Sequence, residues 1–297
     1  MVSEGMERVI ELLKKQEEEA IKKRVKDSRA AMVMLGKMDK IDEDVSIIDV
    51  DVNGIPAVWI SVPDVEVNNV VLYFHGGGYF EGTINTHKGL AARICRASKS
   101  RVLLPAYRLA PENCYPAALE DGVKAYGWLI EKEGLSPENI VIGGDSAGGG
   151  LTAATLVKLR DTGIALPAAA FLLSPWTDLD VTGESMRTKK KEDPFIKIDS
   201  VFWMAALYCK DEDPRNPYIS PLYADLKGLP PLLIQVGSAE LLLDDSTRFA
   251  EKAKKAGVDV TLEIWEDMIH VFQAFALWAP EGQQGIDKIG EFIKSKT

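Results

Sequence analysis

The chain has 297 residues, and 46% of them are apolar, which is ample for the core of one large α/β domain. The net charge of −10 argues against nucleic acid or an anionic membrane as the main partner. The three cysteines include no Cys-x-x-Cys pair, so the sequence supports neither a disulfide framework nor a zinc site. No apolar run approaches the roughly 20 residues of a membrane span, and the N-terminus lacks an apolar signal core. We therefore expect a soluble, cytoplasmic protein with no membrane span.

The N-terminal segment has the pattern of an amphipathic helix followed by a β-hairpin. In residues 4–35, apolar side chains recur at helical spacing, which predicts a surface helix that could cap a cleft. The runs 45–52 and 57–62 flank Asn53-Gly54, a strong hairpin signal, and we expect both to be antiparallel edge strands.

From residue 69 onward, short apolar strands alternate with helical segments. The predicted strands cover residues 69–74, 102–104, 139–142, 168–173, 231–236 and 258–265, and the predicted helices cover 88–97, 115–131, the segment after Ser146, 244–256 and 285–294. This alternation predicts an α/β fold with a mostly parallel eight-stranded sheet flanked by helices. Residues 175–228 hold several prolines and one short helix, 200–208, which is typical of an insertion. No linker or repeat divides the chain, so we predict a single domain over residues 1–297.

The sequence Gly144-Asp145-Ser146-Ala147-Gly148 lies between a β-branched run and an apolar helical segment. A Gly-x-Ser-x-Gly pattern at a strand-to-helix turn is typical of a nucleophile elbow, which exposes the serine hydroxyl at the turn. Glycines flank the serine because side chains there would collide across so tight a turn. In isolation, the pattern would also fit a serine that caps a helix.

The loop His75-Gly76-Gly77-Gly78 follows a predicted buried strand, at the sheet edge where Ser146 is expected. Successive glycines let the backbone approach a ligand closely and direct N–H groups at a developing oxyanion. A flexible glycine turn is the structural alternative. The loop lacks the Gly-Lys-Ser/Thr of a phosphate loop.

The positions of the three histidines select one of them as the candidate base for Ser146. His75 is expected to brace the glycine loop, and His87, near a helix start, is expected to be solvated. His270 follows the last predicted strand and is the remaining source of a base.

The acid in a Ser…Asp/Glu…His order lies between the serine and the histidine. Glu240 stands just beyond a strand tip and is the predicted acid. Asp244 and Asp245 lie about a helical turn further and are expected to cap the following helix. Asp178 and Asp180, after the preceding strand, remain an alternative.

These residues together resemble the hormone-sensitive-lipase-like family of α/β-hydrolase esterases, from about residue 70 to the C-terminus. The loop 75–78 resembles the family's HGGG loop, and residues 144–149 resemble its GDSAGG elbow. The segments 107–112 and 115–118 are similar to family signatures around the neighbouring strand and helix. Asp193-Pro194-Phe195 resembles a feature of the family's cap.

The resemblance implies an α/β-hydrolase fold in which the N–H groups of Gly76, Gly77 and Ala147 hold the oxyanion. It also implies a homodimer and a helical cap, formed by about residues 1–40 and about 175–228, over the acyl and alcohol pockets. One position departs from the family pattern, because the acid is usually Asp followed by Pro. Here Glu240 is followed by Leu241, so a longer side chain must approach His270 along a slightly different path.

The residues and the resemblance together predict a serine carboxylesterase for short- to medium-chain esters that requires no metal or cofactor. In this mechanism His270 takes the proton of Ser146, Glu240 orients the imidazole, and water hydrolyses the acyl-serine. Two alternatives stay open. Acyl-serine formation would exclude a ligand receptor on the same fold, and a comparison of ester with amide substrates would distinguish an amidase or peptidase.

Overall fold

The computed structural model describes residues 4–297, with the side chains of residues 4, 5, 7–9, 12, 14 and 17 outside the description. These residues form an eight-stranded sheet with helices on both faces. The strands are β1 Ser46–Val52, β2 Ile55–Ser61, β3 Glu66–Phe74, β4 Ser100–Pro105, β5 Ile140–Asp145, β6 Ala169–Leu173, β7 Leu232–Gly237 and β8 Val260–Trp265. The helices are α1 Glu4–Gly36, α2 Ile84–Ser98, α3 Ala117–Glu131, α4 Ala147–Asp161, α5 Ser185–Thr188, α6 Ile198–Cys209, α7 Leu243–Lys255 and α8 Pro280–Lys294.

The strand order is β1-β2-β4-β3-β5-β6-β7-β8, and neighbouring strands from β4 to β8 are parallel. The predicted mostly parallel sheet is therefore confirmed. The prediction that both hairpin strands lie at an edge is wrong for β2, which pairs with β1 on one side and β4 on the other. Most β2 side chains are buried or half-buried, as an interior position requires.

The central strands bury both of their faces. On β5, Ile140 and Ile142 belong to one apolar core, and Val141 belongs to a second core on the opposite face. Because successive side chains of a strand point to opposite faces, a continuous apolar run is what a strand between two helical layers requires. Residues of α3 and α4 pack in the first core, and residues of α2 and α8 pack in the second.

Two helices begin at least one turn earlier than the sequence pattern predicted, and each start has a local cause. Helix α2 begins at Ile84 rather than residue 88 because Thr83 and Thr86 form a reciprocal capping box. Helix α8 begins at Pro280 rather than residue 285 because proline lacks the N–H that the first helical position leaves unpaired.

Helix α1 is anchored on the segment that follows the glycine loop. The guanidinium of Arg29 donates to the carbonyl oxygen of Phe80 at 2.7 Å and forms an ion pair with Glu112. The hydroxyl of Ser28 donates to Glu81 at 2.6 Å. These contacts place the C-terminal half of α1 beside the loop. The division of the chain into a cap and a main body stays a prediction, and residues 1–3 of the expected cap lie outside the described residues.

None of the helices that the structure describes has the combined length and apolar character that a membrane crossing requires.

The packing of α8 against α2 yields a stability prediction. A Cβ on Gly290 would overlap the backbone carbonyl of Ala97, whereas a Cβ on Gly127 in α3 would meet open space. We expect Gly290→Ala to lower the free energy of unfolding by about 1–3 kcal/mol, because backbone must shift to admit the methyl group. Gly127→Ala should raise it by about 0.5–1 kcal/mol through helix propensity. Urea unfolding measures both, and equal stability of the two variants would contradict this packing.

Candidate active site

Ser146 occupies a strained turn between β5 and α4. Its backbone angles are φ 53° and ψ −121°, in a region that residues with a Cβ rarely adopt. A Cβ at Gly144 would overlap the carbonyl of Gly148, and one at Gly148 would overlap the carbonyl of Phe74. The side chain of Ser146 makes no capping hydrogen bond to α4. The alternative interpretation of Ser146 as a simple helix cap is therefore wrong.

Ser146 lies on the wall of a cavity of about 680 Å³. The same cavity is lined by His270 and by Gly77 and Gly78 of the glycine loop. Residues of α1 and of α6 form much of the remaining wall. The structure thus brings the predicted nucleophile, the predicted base and part of the predicted oxyanion loop to one cavity.

Glu240 and His270 form a buried pair, with 3.1 Å between the Glu240 Oε1 and His270 Nδ1 atoms. Because a carboxylate only accepts hydrogen bonds, this contact assigns the proton to Nδ1 and leaves Nε2 with a free lone pair. The glutamate is 0% exposed and the histidine 3% exposed. The pair therefore has the orientation that a general base needs.

The second oxygen of Glu240 fixes the direction of its longer side chain. Oε2 accepts from the hydroxyl of Ser174 at 2.8 Å and from the backbone N–H of Gly237 at 2.9 Å. The Ser174 oxygen in turn accepts from the N–H of Val271, next to His270. Sequence reasoning missed Ser174, although its place directly after β6, at the same sheet edge, was an available signal.

The acids near the start of α7 do not cap that helix, so the prediction for Asp244 and Asp245 is wrong. Asp244 accepts from the N–H of Ser185, and Asp245 accepts from the N–H groups of Thr177 and Asp178. Burial, with the like charge of Asp178, raises the pKa of Asp245 well above its usual range. Both side chains bind segments that are remote in sequence.

The alternative acids after β6 are engaged with arginines. Asp178 forms an ion pair with Arg248 at 2.9 Å, and Asp180 forms one with Arg215 at 2.7 Å. Among these carboxylates, Glu240 is the one in contact with His270.

One predicted oxyanion donor is occupied. The N–H of Gly76 donates to Asp145 Oδ1 at 3.1 Å, so it is not free to bind a ligand, and the prediction for Gly76 is corrected. The N–H groups of Gly77 and Gly78 have no hydrogen-bond partner among the described residues, and both glycines line the cavity. Their φ angles of 114° and 58° favour glycine. The N–H of Ala147 is the first of α4, where no intrahelical partner exists.

Asp145 also binds two side chains beneath the glycine loop. Its Oδ1 accepts from the hydroxyl of Tyr73 at 2.6 Å, and its Oδ2 lies 3.6 Å from His87 Nε2. Burial alone would raise the pKa of Asp145, but the charge of His87 and the hydrogen bond from Tyr73 hold it below its usual range. The expectation that His87 is solvated is wrong. It is 6% exposed, because α2 starts early and carries it under the loop.

His75 lies inside the glycine loop and holds its backbone. Its ring stacks on Tyr107 with 4.3 Å between centroids, and Nδ1 is 2.8 Å from the carbonyl oxygen of Gly76. Burial, with the nearby charge of His87, lowers the pKa of His75 to about 3. At neutral pH the ring is therefore uncharged, and its Nδ1–H can donate to that carbonyl.

Within the described part of the chain, His, Cys, Asp and Glu side chains form no group of three or more that could hold a metal ion.

A family model described as the alpha/beta hydrolase fold matches residues 71–274. The chain belongs to the α/β-hydrolase family. This α/β-hydrolase is 48% identical to an esterase of the bacterial hormone-sensitive lipase family in a crystal structure, with a TM-score of 0.90 over 92% of this chain and 91% of that one. The predicted resemblance to that family is confirmed.

Two further proteins are similar to this α/β-hydrolase. It is 42% identical over 241 residues to an acetyl-hydrolase of Streptomyces hygroscopicus, covering 81% of this chain and 80% of that protein. It is 46% identical to EstE5 in a crystal structure soaked with p-nitrophenyl butyrate, with a TM-score of 0.89 over 92% of this chain and 91% of that one.

Proposed function

We propose that this α/β-hydrolase hydrolyses carboxylic esters through an acyl intermediate on Ser146. The observation that carries the proposal is that Ser146, in its strained turn, lines one cavity with His270, whose Nδ1 is held by Glu240. The names of the relatives, acetyl-hydrolase and esterase, support the reaction type.

The proposed first step is attack by the Ser146 oxygen on the ester carbonyl while His270 Nε2 accepts the hydroxyl proton. The Glu240 carboxylate, 3.1 Å from Nδ1, stabilises the imidazolium that forms. His270 then donates the proton to the alcohol oxygen as the carbon–oxygen bond breaks. Water, deprotonated by the same histidine, hydrolyses the acyl-serine.

We assign the oxyanion to the N–H groups of Gly77, Gly78 and Ala147. Gly78 takes the place of Gly76 in this assignment because the Gly76 N–H is bound to Asp145. That bond and the stack of His75 on Tyr107 hold the loop before any substrate arrives. Donors that are already oriented do not reorganise during reaction, which is why such groups contribute strongly to catalysis.

We propose that the substrates are short- to medium-chain esters. The cavity of about 680 Å³ lies within the roughly 300–1,000 Å³ of typical small-molecule sites. Each further CH₂ group of an acyl chain gains about 0.8 kcal/mol only while the cavity can enclose it. The soaking of EstE5 with p-nitrophenyl butyrate makes a butyryl ester a reasonable first substrate. The homodimer and the cytoplasmic location expected from the sequence stay predictions.

Replacement of the nucleophile tests the proposed function. We expect Ser146→Ala to lower kcat for p-nitrophenyl butyrate by up to about 10⁶, because the acyl-enzyme cannot form. The matched control is Ser136→Ala, which removes an exposed hydroxyl with no capping bond and should keep full activity. Thermal unfolding checks that both variants are folded. If Ser146→Ala retained more than a few per cent of the wild-type rate, Ser146 would not be the nucleophile.

The assignment of the acid has its own test. Glu240→Gln keeps an oxygen that can accept from His270 Nδ1 but removes the negative charge that stabilises the imidazolium. We expect kcat to fall by about 10² to 10⁴, where the upper value is the loss seen when a triad acid is neutralised. Asp244→Asn is the control, because this carboxylate binds the N–H of Ser185 instead. If Asp244→Asn were inactive while Glu240→Gln stayed active, the role of the acid would be assigned to Asp244, one helical turn along the chain.

A further inference from the structure

The cavity wall next to His270 is aromatic. The ring of Phe195 lies 6.1 Å from the imidazole of His270, tilted by 31°. Phe275 meets Phe195 edge-on at 6.2 Å, and Trp278 lies 6.3 Å from Phe275. All three rings line the cavity that contains Ser146.

Two of these rings keep open surface although they are large and apolar. Phe195 is 47% exposed and Trp278 is 57% exposed, whereas the aromatic side chains of the core are almost fully buried. Exposed aromatic side chains that line a candidate site are typical of a surface that a ligand covers.

The position of Phe195 is fixed by a buried carboxylate. Asp193 is 1% exposed, and its Oδ1 accepts from the N–H groups of Phe195 and Ile196, both at 2.8 Å. Its Oδ2 accepts from the N–H of Leu241, the neighbour of Glu240, at 2.9 Å. The backbone that carries the exposed ring is thus tied directly to the loop that carries the proposed acid.

This inference rests on the proposed function, because the chemistry of that reaction places the alcohol part of the ester next to the aromatic wall. His270 must return its proton to the oxygen of the leaving alcohol, so this oxygen lies within hydrogen-bond distance of the imidazole. The substituent on the alcohol oxygen therefore begins beside His270, and the aromatic ring next to His270 is that of Phe195.

We propose that Phe195, Phe275 and Trp278 form an alcohol subsite that selects esters whose alcohol part carries an aromatic ring. Aromatic rings pack in offset or edge-on pairs with centroids about 4.5–7 Å apart, and the three protein rings already have this spacing. A substrate ring would extend this cluster and cover part of its exposed aromatic surface.

A pair of butyrate esters separates aromatic recognition from simple apolar burial. Benzyl butyrate and cyclohexylmethyl butyrate share the acyl group and a primary alcohol of similar reactivity, but the alicyclic ring is larger and more apolar. A wall that is merely apolar favours the cyclohexylmethyl ester. The proposed subsite favours the benzyl ester, by about threefold to tenfold in kcat/KM on the scale of aromatic pair interactions.

The ratio of kcat/KM for benzyl butyrate to kcat/KM for cyclohexylmethyl butyrate is then measured in Phe195→Leu and Trp278→Leu. Each substitution should lower this ratio towards one. Both esters are assayed with the same enzyme preparation. A smaller fraction of folded protein therefore lowers both kcat/KM values equally and leaves their ratio unchanged. Phe202→Leu is the control, since this ring is 53% exposed on α6 and does not line the cavity. It should leave the ratio unchanged.

A wild-type ratio of one or below, or an unchanged ratio in both Phe195→Leu and Trp278→Leu, would overturn the aromatic subsite. Inhibition of the wild type by benzyl alcohol and by cyclohexylmethanol gives an independent comparison, in which tighter binding of benzyl alcohol is expected. If both esters are cleaved equally well and Ser146→Ala cleaves neither, the aromatic inference fails while the proposed function stands. Should Ser146→Ala cleave both at the wild-type rate, the proposed function itself fails.

Discussion

The arrangement of this molecule depends on the sharp turn at Ser146, where β5 passes into α4. Ser146 has a positive φ, and glycines flank it because a Cβ on Gly144 would overlap the carbonyl of Gly148, and a Cβ on Gly148 would overlap the carbonyl of Phe74 at the end of β3. This close approach has a second consequence. The glycine loop begins directly after Phe74, so the same contact places it beside Asp145 and the serine. One backbone constraint thus locates both the proposed nucleophile and the proposed oxyanion donors.

Three segments near the cavity are held by buried carboxylates that accept hydrogen bonds from backbone N–H groups. Asp145 holds the glycine loop through Gly76, Glu240 binds Gly237 as well as the imidazole, and Asp193 holds the segment of Phe195. A buried carboxylate without partners would be costly, and charge-assisted hydrogen bonds offset that cost. The same bonds restrict loops that would otherwise move. These bonds therefore shape the cavity by tying loop backbone in place, and the backbone of Phe195 is held although its side chain is exposed.

The sequence was sufficient for the features that depend on local pattern and strand order. Ser146, Glu240 and His270 each follow a predicted strand, and the carboxyl ends of parallel strands meet at one edge. The pattern could not predict which N–H groups of the glycine loop are free, because that depends on where the Asp145 side chain points. The burial of His87 depends on a helix that starts at Ile84, and Asp244 and Asp245 bind segments that lie far away in sequence. The local pattern of apolar and polar residues carries no information about these long-range contacts.

The central claim is that a covalent intermediate forms on Ser146, and its direct detection is the most decisive measurement. The enzyme is mixed with excess p-nitrophenyl butyrate, quenched in acid during turnover, digested and examined by mass spectrometry. The account predicts a butyryl group on the peptide that contains Ser146, formed together with a burst of p-nitrophenol equal to the enzyme present. A butyryl group located on a different residue, or turnover through a water attack that leaves no covalent adduct, would contradict it.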